Sequence, residues 1–421
     1  MKQLIEKIIP TLNFQFPYNV DEYVEHLYLE NYHCHKDFTN TIIADCAEPI
    51  TNYAKRIKEF GTKCLFSGEH GTQGNQFEVY KVAEAENLRY VHSTEAYWVK
   101  DRLAEYPVLD KETGEQLKNK DGSLRVVKDR TNCHIILVAL NAEGRKDINY
   151  ILSMANIDGY YYRPRIDLEL LLQIPKDNII VTSACIAGWN YPDAEDVWIR
   201  IAQHFKENFF LEVQYHHTEA QKQLNKKILR IAKENQIQII CGLDTHYITD
   251  DSKVKRDKIL EYKKIQYPEE EGWFMDYPDT PTIIRRFQEQ GVLTDEEILR
   301  AIMNTNVFYA KCQTIIFDRK FKIPDINKGK TYEQRCDIFK KLLNQQYHLE
   351  KNKSDEKKQG IRYEVKEIVD AGVVDYFLVS HRIVDDAIHN EGGILTTTSR
   401  GSAASFITNK LLGLTTVDRF N

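Results

Sequence analysis

Between about residues 24 and 248 the chain alternates short apolar runs with stretches whose apolar positions recur at helical spacing, the pattern of repeated βα units. Ile50, Tyr53, Ala54 and Ile57 fall at i, i+3, i+4 and i+7, and Gly61 follows as a stop, so a helix is predicted there. The run from Cys64 to Ser67 reads as a strand ending in Gly68-Glu69-His70-Gly71, and a helix carrying Phe77, Tyr80 and Ala83 follows it. Arg89 to His92 predicts the next strand, ending in Ser93-Thr94-Glu95. Residues 110–130 are polar and contain Asp121-Gly122, which predicts a protruding hairpin. Further strands are predicted from His134 to Ala139, from Asn178 to Ser183 with Cys185 just beyond, from Phe209 to Val213 and from Ile237 to Cys241. The last of these follows a helix lined by Leu224, Ile228 and Ile231 and delivers Asp244 and His246. This succession argues a parallel sheet and a β/α barrel, whose active site gathers at the C-terminal ends of the strands.

After residue 250 the pattern changes. Lys253, Lys255, Arg256, Lys258, Lys263 and Lys264 form a basic stretch, read as the solvated face of one helix. Thr280-Pro281 opens a helix with proline in its first turn, and Thr294 to Glu297 is a capping box opening another. Residues 349–359 read as a charged loop. Helix-like segments follow around Ile368 and Ile383, then Gly392-Gly393, a short strand, and Ser399-Arg400-Gly401-Ser402 entering an apolar helix with Phe406, Ile407, Leu411 and Leu412.

Composition narrows the class without deciding the function. At 421 residues, with 42% hydrophobic and 29% charged, the chain has room for two or three domains with a sizeable core. Its 24 tyrosines and 18 phenylalanines argue against disorder. No apolar run is long enough to span a membrane and no signal peptide is recognisable, so a cytoplasmic location and free thiols are expected. The eight cysteines include no C-x-x-C pair, which removes zinc-ribbon and thioredoxin readings. A formal net charge of −6 argues against a free-standing nucleic-acid binder, while leaving room for a carboxylate-rich cleft that acts on phosphates through metal ions.

The candidate chemistry lies in two pairs and several single residues. His33-Cys34-His35 and Asp244-Thr245-His246 each set two metal-type ligands at i and i+2, which share one face of an extended strand. Between the pairs, His70, Glu95, His134 and Cys185 stand at or near the ends of apolar runs, with Asp45 just before the first barrel helix and Glu69 as a secondary candidate. His134 begins its run where the others end theirs. A lone buried histidine is more often a hydrogen-bonded core residue, so the case rests on the set. Imidazole, carboxylate and thiolate together suit zinc, manganese or iron, and the set is too large for one tetrahedral ion and suits two or three. Such a cluster would hydrolyse a phosphoester, with Asp244, His246 and Glu95 at its catalytic heart.

These motifs carry a family resemblance. Tyr32-His33-Cys34-His35, Gly68-Glu69-His70-Gly71, Thr94-Glu95-Ala96-Tyr97, Cys133-His134-Ile135, Ser183-Ala184-Cys185 and Leu243-Asp244-Thr245-His246-Tyr247 resemble, in order, the motifs of the PHP (polymerase and histidinol phosphatase) domain. They are most similar to the PHP domain of the C-family replicative polymerases of bacteria and phages, the DNA polymerase III alpha type, and Tyr160 to Arg165 resembles that subgroup's stretch between the His134 and Cys185 motifs. Glu69 stands where that family usually has Asp, and the spacing from His35 to Asp45 is longer than usual. The resemblance implies a distorted, seven-stranded β/α barrel.

A second constellation lies near the end of the chain. The small-residue turn Ser399 to Ala404 entering a helix reads either as a tight turn capped by Ser402 or as a phosphate site built on free N–H groups. Asp375-Tyr376-Phe377-Leu378, Gly392-Gly393, Ser399 to Ser402, Leu412 to Thr415 and Val417-Asp418 resemble the first part of the C-family palm. That resemblance implies that Arg400, Gly401 and Ser402 lie against the triphosphate of an incoming nucleotide. The family's palm aspartates, which hold magnesium, are expected beyond Asn421, so this chain alone is not expected to polymerise.

The sequence therefore predicts a PHP barrel over 1–255, a helical connector or early palm over 256–345 and the first part of an α+β palm over 346–421. The parent function implied is DNA-directed DNA synthesis in replication, with primer-template DNA and dNTP as substrates and a sliding clamp or proofreading subunit as possible partners. The barrel itself is expected to act as a 3′–5′ exonuclease or pyrophosphatase. The alternatives are a metal-braced structural or docking module and a stand-alone phosphatase.

Overall fold

The computed structural model describes residues 1–421 except 268, 269, 321, 325, 397–400 and 421. The chain divides into two compact units, Met1–Ile316 and Phe317–Asn421. The boundaries expected at 255 and 345 fall inside the helices Asp250–Lys263 and Tyr332–Leu349. The first unit runs on to Ile316 because the segments after 265 complete its core. Asn304, in the helix Asp295–Asn304, donates to the Ile239 carbonyl at 2.7 Å, and the Phe308 ring lies 4.8 Å from Tyr32 and 5.4 Å from Phe66.

The strands of the first unit are β1 (Cys64–Phe66), β2 (Arg89–Val91), β3 (Ser93–Val99), β4 (Glu105–Pro107), β5 (Val126–Lys128), β6 (Cys133–Ala139), β7 (Arg165–Asp167), β8 (Ile179–Thr182), β9 (Phe209–Val213) and β10 (Gln238–Cys241). A six-stranded sheet has the order β10-β9-β8-β6-β3-β7, and β1 pairs with β2 in parallel. Every residue of β3, β6, β8 and β9 is buried, which explains why they read as continuous apolar runs. The helix Ile50–Glu59 buries Ile50, Tyr53, Ala54 and Ile57, and the helix Glu219–Asn235 buries Leu224, Ile228 and Ile231, as their spacing predicts. The expected hairpin is present, with β4 and β5 antiparallel and largely exposed.

Two features depart from the expected parallel sheet, and both place site residues. β6 runs antiparallel to β3 and to β8. Its first residues therefore lie at the end of the sheet where its antiparallel neighbours β3 and β8 finish, which is why His134 opens its strand. Glu95 does not follow a strand end. The apolar run Ala96 to Val99 carries the chain on as β3, so Glu95 lies inside a strand paired with Ile136. Isolated parallel bridges extend the wall at both sides, Cys34 to Thr245 and His70 to Glu95. The segment before His33 is tied to β1 by the Glu30 carboxylate, which accepts from the Lys63 and Cys64 N–H groups at 2.9 and 3.0 Å.

The regular elements among the described residues of the second unit are helices, and no strand is found at 394–396. Tyr332–Leu349, Asp355–Asp370, Val374–His389 and Ile407–Leu411 surround a core that includes Phe339, Leu343, Ile368, Val374 and Leu378. The expected charged loop shrinks to 350–354 because Ser354 caps the next helix, accepting from Lys357 N–H at 3.2 Å. The buried Lys357 ammonium donates to Asp418 at 2.6 Å and Glu350 at 2.7 Å, a structural role for Asp418. No described helix is long and apolar enough to cross a membrane.

Two buried histidines give the first unit an acid-labile component. Burial pushes His92 down to about 3 and His216 down to about 4. Below pH 6.5 the unfolded chain takes up these protons before the folded one does, so the stability they carry is lost as the pH falls from about 6.5 toward 4. His92→Asn removes one of the two. Between pH 7 and 4 the metal-free wild type is expected to lose about 3 kcal/mol more than His92→Asn. Urea unfolding at the two pH values checks this, and equal losses would contradict it.

Candidate metal centre

The two short pairs are held side by side by backbone. His35 N–H donates to the Thr245 carbonyl at 2.8 Å and Thr245 N–H to the His33 carbonyl at 3.1 Å. This parallel register aims His33, His35, Asp244 and His246 from one rim. Glu95 N–H bonds the Glu69 carbonyl and Gly71 N–H the Glu95 carbonyl, which brings His70 beside Glu95. His134 enters from β6, and Cys185 from the turn after β8, where Ala184 takes a φ of 54°.

Glu95 is the hub. Its Oε1 lies 2.8 Å from His134 Nδ1, 3.3 Å from His33 Nε2 and 3.9 Å from Cys185 Sγ. Its Oε2 lies 2.8 Å from His70 Nδ1 and 3.2 Å from His35 Nε2. Asp244 Oδ1 lies 3.2 Å from His33 Nε2, 3.3 Å from His35 Nε2 and 3.6 Å from His246 Nδ1. Asp45 Oδ2 is 3.6 Å from both His70 Nε2 and His246 Nε2, and Cys185 Sγ is 3.5 Å from His134 Nδ1. Thus His33, His35, Asp45, His70, Glu95, His134, Cys185, Asp244 and His246 are all drawn into one cluster. Three overlapping triads have ligand atoms close enough to share an ion: His33/His35/Glu95, His70/Glu95/His134 and His35/His70/His246.

The donor set fits divalent metals. His33 Nε2, both nitrogens of His35, Asp45 Oδ1, His70 Nδ1, Glu95 Oε2 and His134 Nε2 are buried and make no hydrogen bond among the described residues. Buried polar atoms left in such numbers on one cluster call for a partner. The electrostatics agree. Burial opposes the charge on Glu95, yet His134, His70 and His33 hold its carboxyl well below the usual range, and His33 and His35 do the same for Asp244. Burial pushes the Cys185 thiol well up, so metal binding there would release a proton.

Glu69 is placed differently. Its carboxylate accepts from Asn75 Nδ2 at 2.7 Å and from Lys36 N–H at 3.3 Å, and lies 3.7 Å from the buried Lys36 ammonium. Burial raises it to about 8. It supports the loop, and among the described residues its carboxylate makes no hydrogen bond to the donor cluster.

Sequence reasoning missed two supporting residues. Glu212, fully buried in β9, lies 2.7 Å from His33 Nδ1 and accepts from Tyr32 Oη at 2.7 Å and Gln214 Nε2 at 2.8 Å. The signal was a carboxylate in the otherwise apolar run Phe209 to Val213, because a buried charge must be paired. Arg256 was read with the solvated basic face. It is instead buried, donates from Nε to the Asp45 carbonyl at 2.6 Å and pairs with Glu270, whereas its neighbours Lys253, Lys255 and Lys258 are exposed.

In the second unit, Arg400 lies outside the described residues. Gly401, at a φ of 80°, and Ser402 are exposed. Ser402 opens a 3-10 turn with no side-chain cap, and the helix begins only at Ile407. Ser402 also lines a cavity of about 520 Å³ with Tyr376, Phe377 and Thr415.

Residues 31–216 match the family model described as the PHP domain, and residues 336–421 match that of the bacterial DNA polymerase III alpha NTPase domain. The chain is 24% identical over 412 residues to the DNA polymerase III subunit alpha of Aquifex aeolicus and 25% identical over 427 residues to that of Campylobacter jejuni. Each match covers 92% of this chain and 33% of the relative.

The chain is homologous to DNA polymerase III alpha subunits.

It carries their PHP domain and a match to their NTPase domain, and spans about a third of the length of these relatives. Among solved structures, a candidate metal-dependent phosphoesterase from Bifidobacterium adolescentis covers 56% of this chain and 96% of its own at 13% identity, with a TM-score of 0.31. That likeness is too distant to bear on the chemistry.

Proposed function

We propose that the PHP domain of this chain is a metal-dependent phosphoesterase that trims the 3′ end of a DNA strand, within a protein that takes part in DNA-directed DNA synthesis. The observation that carries the reading is the convergence of the donors around Glu95, with orphaned buried atoms on His33, His35, Asp45, His70 and His134. His33, His35, Asp45, His70, Glu95, His134, Cys185, Asp244 and His246 would hold two or three divalent ions, with zinc, manganese and iron all suited to the donor set. Such ions, when bound, supply a water of lowered pKa and neutralise charge on the phosphoester oxygens.

The chain's own groups prepare the site for this. Glu212 faces His33 Nδ1, which leaves Nε2 for the centre. The Asp244 carbonyl, 2.9 Å from His246 Nδ1, leaves the Nε2 of that ring facing Asp45. In the reaction the water oxygen bonds to phosphorus, the ester P–O bond breaks and the leaving hydroxyl takes a proton.

Removing metal with a chelator is expected to abolish 3′-end digestion of single-stranded DNA, and readdition of zinc, manganese or iron to restore it. Two to three transition-metal ions per chain should accompany activity, and Asp244→Ala should have neither. Absence of metal from active protein would overturn the proposal.

A second reading has its own observation. The donors join separate segments, including the 33–35 and 244–246 pairs, β3, β6 and the turn after β8, so bound ions would brace the barrel. Metal present, no hydrolysis of DNA, pyrophosphate or small phosphoesters, and a lower melting temperature after chelation would favour that reading.

For the rest of the chain the proposal follows the relatives. The segment Arg400-Gly401-Ser402 would contact the triphosphate of dNTP, with magnesium and primer-template DNA as further ligands, and a clamp or proofreading subunit as partner. The cytoplasm of a bacterium, or of a phage-infected cell, is the proposed location.

A further inference from the structure

Beside the donor cluster the first unit holds a second recess, of about 420 Å³, bounded by Tyr97, Arg130, Tyr162 and Arg163. Tyr97 links the two. Its ring stacks on His70 at 5.9 Å with 16° between planes, and its hydroxyl accepts from Arg163 Nη1 at 2.8 Å. The Arg163 guanidinium lies over the same ring at 4.9 Å. On the opposite rim the Arg130 guanidinium lies 4.1 Å from the centre of the Tyr162 ring.

Three properties mark this recess as a binding surface. Neither Arg130 nor Arg163 has a carboxylate partner among the described residues, although the chain as a whole carries excess negative charge. Tyr162 is 65% exposed, which leaves its ring open to a ligand. Its backbone is held at a φ of 62° by a tight turn in which Tyr161 N–H donates to the Arg163 carbonyl, a conformation that costs an aromatic residue energy and fixes the ring outward. Buried Arg165 supports the wall from behind, with its donors spent on the carbonyls of Gly159, Asp129 and Arg102. A flat π face beside guanidinium groups without carboxylate partners is the chemistry that takes a nucleobase and its phosphate.

We propose that this recess is a nucleotide subsite, in which a base stacks on Tyr162 while Arg163 and Arg130 hold the backbone phosphate next to the one presented to the donor cluster. The proposal deepens, and rests on, the phosphoesterase reading of that cluster. It makes single-stranded nucleic acid the substrate class, in preference to pyrophosphate or a small phosphomonoester, which have no base to stack.

The test is fluorescence anisotropy of the metal-loaded full chain with a phosphorothioate oligothymidylate of ~10 nucleotides and with an abasic strand of equal length. Tyr162→Ala is expected to weaken binding of the oligothymidylate roughly tenfold, with Tyr162→Phe restoring it, and to leave the abasic strand unaffected. Arg163→Ala and Arg130→Ala are expected to weaken both strands and to lower the salt slope by about one each. Metal content should match the wild type in all of these variants. Wild-type protein that binds neither strand, or variants that bind as the wild type does, would overturn the subsite. Variants that lose binding while the wild type hydrolyses no phosphoester would sink the phosphoesterase reading and leave the subsite standing. Active wild type with unaltered variants would remove the subsite alone.

Discussion

Glu95→Gln is expected to strip the centre of at least one of its ions and to lower phosphoester hydrolysis on the order of 10³-fold, about 4 kcal/mol of barrier. The size follows from position. The carboxylate oxygens of Glu95 touch His33, His134 and Cys185 on one side and His35 and His70 on the other, so one side chain serves two of the three triads in which ions could sit. An amide keeps the shape but carries no charge, and one of its two faces presents N–H where a metal needs a lone pair. Glu69→Gln is the natural contrast, because Glu69 also stands at a motif centre but faces Lys36 and Asn75. Burial already holds Glu69 largely protonated near neutral pH, so that variant should keep its full metal content at little cost in stability. Metal analysis and hydrolysis by both purified variants decide the matter. Glu95→Gln with wild-type metal and rate would remove Glu95 from the centre.

The contrast between these glutamates shows what the sequence could and could not carry. Ligand types at i and i+2 in His33-Cys34-His35 and Asp244-Thr245-His246 were legible, because strand periodicity alone sets both side chains on one face. That the two pairs lie together was not, since it depends on a bridge between Cys34 and Thr245 across about two hundred residues. The helices of the first unit were legible from spacing, as at Ile50 to Ile57. Strand direction was not. An apolar run reads the same in either sense, so only the pairing of β6 with β3 and β8 explains why His134 leads its strand. The boundaries at 255 and 345 followed changes in composition, whereas the compact units follow packing, such as that of Phe308 against Tyr32 and Phe66. Arg256 shows the same limit on a smaller scale. Five basic residues of one helix look alike in sequence, and only the Asp45 carbonyl and Glu270 single one of them out.

Glu212→Ala is expected to lower metal affinity about 10- to 100-fold and to destabilise the metal-free chain by about 3 kcal/mol, although Glu212 is no candidate ligand. Its carboxylate is the shared partner of His33 Nδ1, Tyr32 Oη and Gln214 Nε2, all buried, and truncation would leave each without that partner. With no acceptor at Nδ1, the His33 ring is free to turn or to hold its proton on Nε2, the atom that faces Glu95 and Asp244. Gly242 offers an independent route to the same disturbance. A Cβ at that position would come within 2.1 Å of the Glu212 carboxyl, which its hydrogen bonds hold in place. Gly242→Ala should therefore reproduce much of the loss of metal affinity while keeping the Glu212 carboxylate in the chain. Competition titrations against a chromogenic chelator read the affinity, and urea unfolding of metal-free protein reads the stability. If both variants bound metal as the wild type does, His33 would be positioned by something other than Glu212. If Glu212→Ala alone were impaired, the charge of Glu212 would matter more than its placement.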